Sequence, residues 1–236
     1  MNRVVTFSTN RTYQPYVHVL LHSLKRHYDG IIVCRCVNCD EEFIEDLKAQ
    51  GVDVIIDNQP LNKTKRIKNV NESSVLIDGK YNRNCICTDE TAYTCHSRFY
   101  NIDYIFKHYD DSTVFAIDCD FVILKSFDDV FDLNDADISI LDHTRCHDED
   151  AIVIRDTPQA NKFLKHVINK LQKDLYFWDQ DTLALRHAFK STQLKIKSLQ
   201  LKYKDYNCND ESVIWSGDGS VKYTDKFKQA YDQFKN

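Results

Sequence analysis

Hydrophobic positions along the chain switch repeatedly between short apolar runs and helical spacing. Residues 3–8 (RVVTFS) are β-branched and apolar, the pattern of a buried strand. After a polar turn at 9–12, Tyr16, Val17, Leu20, Leu21 and Leu24 fall on one helical face. Residues 31–37 form the next strand-like run. An amphipathic helix over 41–50 follows, with Phe43, Ile44 and Leu47 on one side; Gly51 stops it, and 52–56 make a third strand. Residues 58–90 are polar, rich in Asn and Lys, and without period, so they predict an excursion from the sheet. The pattern then predicts a helix over 91–109 that buries Phe99, Ile102, Ile105 and Phe106, and a buried strand over 114–117. Further strands are predicted at 136–141, 151–155 and 194–199. Helices are predicted from Pro158 through Leu171, over 179–189, and over 226–234. Strands alternating with helices imply βαβ units, hence an α/β fold with a mainly parallel central sheet flanked by helices. With no internal repeat or linker, the 236 residues read as one domain, 1–236.

Composition narrows the classes of function. A 42% hydrophobic content supplies a core, while 5 Gly and 3 Pro argue against disordered or collagen-like stretches. The net charge of −5 argues against a nucleic-acid partner, which would call for a basic face. A phosphate-bearing ligand remains compatible, because local cations or a metal can hold it. The N-terminus lacks a signal-peptide pattern, and no apolar run approaches the roughly 18 residues of a spanning helix, so no membrane span and a cytoplasmic location are expected. Nine cysteines, an odd number, fit reduced thiols in that setting. Cys34, Cys36 and Cys39, with Cys85, Cys87, Cys95 and His96, allow a structural zinc site as an alternative. Only Cys36 and Cys39 have C-x-x-C spacing, however, and strand cysteines more often pack as small hydrophobes.

The strongest local signal is FAIDCDFVIL (115–124), two carboxylates interrupting a hydrophobic run directly after a strand. In open α/β sheets ligands bind beyond the carboxyl ends of strands. Alternation would point Asp118 and Asp120 the same way, where they could share a hard divalent cation with substrate phosphate oxygens. Such a cation neutralises charge appearing on a diphosphate leaving group. The plainer reading of the same residues is a surface turn, since a lone D-x-D is common.

Several blocks, in order, resemble the glycogenin-like and related D-x-D families of GT-A-fold glycosyltransferases. FSTNRTYQPYVHVLLHSL (7–24) resembles their opening strand and nucleotide-cradling segment. SRFYNIDYIFKHYDDSTVFAIDCDFVILKSFDDVF (97–131) resembles their Arg-bearing helix, strand and D-x-D. AIVIRDTPQANKFL (151–164), WDQDTLAL (178–185), LKYKDYN (201–207) and WSGDGSVKY (215–223) look like the later strand, the Asp-Gln helix start and the closing Gly-rich segment. The resemblance covers most of the chain except 58–90. It implies a single GT-A, Rossmann-like domain and a metal-dependent enzyme using Mn²⁺ or Mg²⁺. The reaction implied is transfer of a sugar from a nucleotide-sugar donor, such as a UDP- or GDP-sugar, to a hydroxyl of a glycan or glycoprotein acceptor.

The resemblance also implies roles. Phe7, Ser8, Asn10 and Tyr13 would line the nucleoside pocket, with Tyr13 stacking on the base. Arg98 would face donor phosphates or the motif carboxylates. Asp118 would contact the donor and the metal, Asp120 would ligate the metal, and Lys222, after Gly217 and Gly219, would neutralise the departing diphosphate. Asp179 and Gln180 would sit at the reaction centre. A carboxylate there is a general base in an inverting enzyme and steadies the oxocarbenium-like centre in a retaining one. Glycogenin-type relatives are retaining, and retention is the outcome expected. Two departures stand out. No His precedes the closing Gly-rich turn as a further metal ligand, a place Asp218 could take. Asp148-Glu149-Asp150 stands where relatives read Asn-x-Gly, adding negative charge beside the sugar site. A catalytically silent binding module on the same fold and a nucleotidyltransferase are the alternatives.

Overall fold

A computed structural model describes residues 1–61, 66–68, 85–87, 89–143, 146–173, 180–217 and 221–235. Its centre is a seven-stranded sheet. The strands, in chain order, are β1 (Asn2–Asn10), β2 (Ile31–Val37), β3 (Asp53–Asp57), β6 (Ser112–Ile117), β8 (Ile138–His143), β9 (Cys146–Arg155) and β10 (Ile196–Ser198). Their spatial order is β10-β8-β9-β6-β1-β2-β3. All neighbouring pairs are parallel except those of β9, which runs antiparallel to both β6 and β8. A short antiparallel pair, β4 (Arg66–Lys68) and β5 (Cys85–Cys87), lies within the predicted excursion.

The helices are α1 (Gln14–Lys25), α2 (Glu41–Ala49), α3 (Asp89–His96), α4 (Arg98–His108), α5 (Pro158–Lys173), α6 (Gln180–Ser191) and α7 (Asp225–Gln233). Strand alternation sorts the core into two layers. Val5, Phe7, Phe115, Ile117 and Val153 pack with Leu20, Leu24 and Leu47 of α1 and α2. Val4, Val114, Ala116, Ile152 and Ile154 pack with Ile102, Phe163, Val167 and Leu185 of α4, α5 and α6. Both faces of the central strands are therefore apolar, which is why they read as continuous hydrophobic runs. A third cluster seats Phe227 of α7 and Phe234, just past its end, against Val19, Val122 and Trp215. Trp215 and Val122 belong to a two-stranded antiparallel pair, β7 (Val122–Ile123) with β11 (Ile214–Trp215). This small ladder ties the closing segment to the chain just after the D-x-D motif.

Two expected elements change shape. The helix predicted over 91–109 is two helices that meet at Ser97, and the first begins at Asp89. The Ser97 hydroxyl donates to the Thr94 carbonyl three residues back, a contact that bends helices, and lies 2.7 Å from the Ser8 hydroxyl. The strand expected at 151–155 extends back to Cys146 and forms a ladder with β8 that shifts register between Ile140 and Leu141. Among the described residues no helix is long and apolar enough to cross a membrane.

Candidate active site

The carboxyl ends of β1 and β6 lie side by side in the middle of the sheet, and most of the predicted site residues gather there. Phe7, Ser8 and Asn10 close β1. The Phe7 side chain is wholly within the core, so what it offers a ligand is backbone; its carbonyl accepts from Asn101 Nδ2. Ser8 Oγ accepts from Asn101 Nδ2 at 3.0 Å. Asn10 is fully buried, donates to Thr94 Oγ1 at 3.1 Å and accepts from the Thr12 amide at 2.9 Å. The chain then turns into α1, with Pro15 in its first turn, and Tyr13 stands at the turn. Burial pushes the Tyr13 phenol well above its ordinary value, and neighbouring Cys95, Cys119, Asp120 and Asp118 add to the effect. Tyr13 therefore stays a neutral ring close to the D-x-D segment.

Asp118 and Asp120 follow β6 directly, and each meets a cation of the chain. Arg98 Nη2 is 2.9 Å from Asp118 Oδ1, and Lys222 Nζ donates to Asp120 Oδ2 at 3.0 Å. The Arg98 side chain is 3% exposed and fixed by Nε donation to the Cys95 carbonyl. Burial alone would weaken its charge, but Asp118, Asp150 and Asp181 hold it firmly protonated. Burial likewise opposes the Lys222 charge, and Asp120 overrides it. The Lys222 ammonium also sits 5.8 Å from the Tyr13 ring centre and 5.3 Å from that of Tyr16, a cation–π arrangement. Lys222 reaches the motif because Gly217 lets the closing segment lie on the Asp120 backbone. A Cβ there would press on the Asp120 carbonyl oxygen and come within 3.1 Å of its Cγ.

Gln180 opens α6 and is 2% exposed, yet neither its amide nitrogen nor its oxygen has a hydrogen-bond partner among the described residues. A buried primary amide left unpaired is costly. Asp181 beside it lies 4.0 Å from His96 Nε2, and its charge is felt by Arg98, which sets the start of α6 close to the motif. Asp179, Asp218 and Gly219 lie outside the described residues.

Among the described residues no group of three or more His, Cys, Asp or Glu side chains is placed to hold a metal ion by itself. A small hard cation asks for less: one or two carboxylates, with waters and substrate phosphate oxygens filling the rest. Asp118 and Asp120 fit as that protein share, and the Lys222 ammonium already holds a positive charge against Asp120. The cysteines behave otherwise. Cys34 and Cys36 are buried in the core with sulfurs 3.9 Å apart, Cys119 packs in the same cluster, and all three are free thiols. The side chains of Cys85 and Cys87 lie outside the described residues.

Two further residues of this neighbourhood lie outside the site expected from sequence, where Asp150 is marked only by the acidic triplet and Lys204 not at all. Asp150, within the acidic triplet, and Lys204, within LKYKDYN, form an ion pair of 2.7 Å, and Asp150 Oδ1 lies 3.7 Å from Arg98 Nη1. The Lys204 side chain is completely buried.

The mostly parallel seven-stranded sheet with its single antiparallel strand and flanking helices has the GT-A fold. Solved structures agree. The glycosyltransferase GlyE of Streptococcus pneumoniae TIGR4 superposes with a TM-score of 0.63 at 13% identity over 100% of this chain and 60% of GlyE. The galactosyltransferase LgtC, solved in complex with donor and acceptor sugar analogs, gives 0.61 at 11% identity over 98% of this chain and 95% of LgtC. The bifunctional glycosyltransferase WbbM gives 0.55 at 15% identity, with 98% of this chain matching 44% of WbbM. The chain thus spans about three-fifths of GlyE and less than half of WbbM. No protein-family model matches the sequence, and a search of curated proteins returns no match.

Proposed function

We propose that the chain is a glycosyltransferase that moves one sugar, with retention, from a UDP- or GDP-sugar type donor to a hydroxyl of a glycan or glycoprotein. The observation that carries this reading is the convergence of Asp118, Asp120, Arg98, Lys222 and Tyr13 at the carboxyl ends of β1 and β6. The likeness of fold to GlyE, WbbM and LgtC, all named as glycosyltransferases, supports it.

In this reading the end of β1, with Ser8 and Asn10, forms the floor of the nucleoside pocket, and Tyr13 stacks on the base. Asp118 and Asp120 would hold a manganese or magnesium ion, which supplies compensation for the charge of the departing diphosphate. Lys222 provides a second positive charge for the same phosphate oxygens, arriving from the closing segment. Arg98 fixes the orientation of Asp118 through a guanidinium that is itself immobilised. Gln180 offers its unpaired amide to the donor sugar or the reacting centre, with Asp179 as its partner there. Preorganised donors and charges of this kind do not reorganise as charge develops, which is usually the largest single source of rate in such sites.

The test is a panel of nucleotide sugars with and without manganese, on wild type and Asp120→Ala, scored by release of nucleoside diphosphate and by thermal shift. Manganese-dependent turnover of one donor, lost in the variant, is the expected result. If no donor is bound or cleaved, and Asp120→Ala behaves as wild type, the fold serves here as a binding module and the reaction assignment fails.

A further inference from the structure

The acidic triplet brings a third carboxylate to the motif, and the sheet register explains how. In the antiparallel ladder of β6 with β9, Ile117 pairs with Ala151. One residue further on, Asp118 leaves β6 and Asp150 precedes Ala151, so the two carboxylates emerge side by side. On the other edge of β9, Leu141 pairs with Asp148 and Ile140 with Ile152, leaving residues 149–151 as an irregularity unmatched by β8. That bulge aims Asp150 toward the carboxyl end of β6 instead of continuing the ladder. Like charges placed side by side in a sheet repel. Here they coexist because Arg98 reaches both, at 2.9 Å and 3.7 Å, and because Lys204 meets Asp150 at 2.7 Å.

We propose that Lys204 is a positioning residue: by neutralising Asp150 from behind, it leaves the Arg98 guanidinium to Asp118 and so keeps the first aspartate of the motif oriented for the donor. The inference rests on the glycosyl-transfer reading for its functional consequence, though not for its structural one. A completely buried ammonium is retained only where a specific charge requires it. Lys204 lies within the short 3₁₀ and bridge segment that leads to β11, packed below Asp150 and beside the Tyr206 ring, 5.2 Å away. Without Lys204, Asp150 would draw more strongly on the guanidinium it already shares with Asp118. Arg98 would then be drawn off Asp118.

The decisive experiment compares Lys204→Met, Lys204→Arg and the double variant Lys204→Met/Asp150→Asn, each shown to be folded by circular dichroism. For Lys204→Met a crystal structure should show Arg98 turned from Asp118 to Asp150, and donor KM should rise about tenfold or more while acceptor KM is unmoved. Lys204→Arg should recover part of the donor KM. The double variant, in which Asp150 no longer competes, should recover most of it and return Arg98 to Asp118. A merely structural lysine would lower the yield of folded enzyme without shifting donor KM. Overturning results are Arg98 still seated on Asp118 in Lys204→Met, or a double variant no better than the single one, which would mean that Lys204 contacts the donor itself. If wild type binds no nucleotide sugar, the glycosyl-transfer reading falls, and the Arg98 position in the crystal still decides the role of Lys204.

Discussion

Replacing Gly217 by alanine is the sharpest probe of how the closing segment is held on the motif. The added methyl would overlap the Asp120 carbonyl oxygen and sit 3.1 Å and 3.2 Å from its Cγ and Cβ. Ordinary carbon contacts lie at roughly 3.5–4.0 Å, so backbone must separate from backbone by on the order of 1 Å. No flexible side-chain end can absorb that shift, because the obstructing atom is a main-chain oxygen in the turn between β6 and β7. Overpacking of this kind costs about 1–3 kcal/mol in stability. The larger consequence is functional. Lys222 rides on the same segment, and a displacement of about 1 Å in a reacting or charge-stabilising group can lower turnover by about 100-fold.

A matched control separates the two effects. Gly51 follows α2 with φ +78 and nothing within 4 Å of where an alanine methyl would sit, so alanine there is strained but not crowded. Gly51→Ala should cost about 1 kcal/mol, from the left-handed backbone alone, and leave donor turnover at the wild-type level. The assay is thermal denaturation of both variants followed by nucleoside diphosphate release well below either midpoint. Gly217→Ala should lose about two orders of magnitude in turnover even where it is fully folded. Wild-type turnover in folded Gly217→Ala would refute the claim that close approach of this segment to Asp120 matters.

Two further substitutions test the scaffold. Asp205 accepts from the Ser212 hydroxyl at 2.6 Å, from the Asn207 and Asn209 amides at 2.8 and 2.6 Å, and from Asn209 Nδ2 at 2.9 Å. Burial raises its carboxyl, but these donors, Ser212 foremost, outweigh it and hold the group below the usual range. A depressed folded-state value gives stability that is present above the unfolded value of about 3.9 and lost as pH falls through the folded one. Urea titrations across pH should therefore show Asp205→Asn less stable than wild type near neutrality, with the gap closing in acid; a gap independent of pH would contradict the assignment. Thr224 caps α7, its hydroxyl accepting from the Phe227 amide at 3.4 Å. Thr224→Ala should cost about 1 kcal/mol in equilibrium denaturation with donor KM unchanged, and an unaltered midpoint would show the long cap bond to be idle.

What can be read directly from the sequence follows from where the information resides. Central strands such as 114–117 are apolar on both faces, so each announces itself without knowledge of its neighbours. The D-x-D triplet is visible for the same reason, as three adjacent residues following such a strand. The polar first half of β9 has neither period nor apolar content, and its strand character comes from pairing with β8 across a bulge. β7 and β11 are two residues each and exist only as partners. Asp150 is visible as an acidic departure from the family pattern, and Lys204 as one lysine among many. Their pairing across 54 positions is a product of sheet register and of the path of the closing segment, which composition and spacing do not encode.

The charges around the motif bear on why a cation should accompany the donor. Arg98, Lys204 and Lys222 face Asp118, Asp150 and Asp120, three positive groups against three negative ones, each pair within 3.0 Å. With Asp181 also close to Arg98, such a site carries no surplus positive charge among the described residues before any ligand arrives. A nucleoside diphosphate would bring roughly two negative charges into this partly buried space, where unpaired charge is expensive. Turning Lys222 from Asp120 to the phosphates does not solve the problem, because it strands Asp120. On the proposed reading a divalent cation arriving with the donor would, since Asp118 and Asp120 could share its charge while Lys222 serves the diphosphate. On this argument manganese dependence and Asp120 dependence have one origin. Nucleoside diphosphate should bind wild type far more tightly with manganese than without it, and Asp120→Ala should narrow that difference.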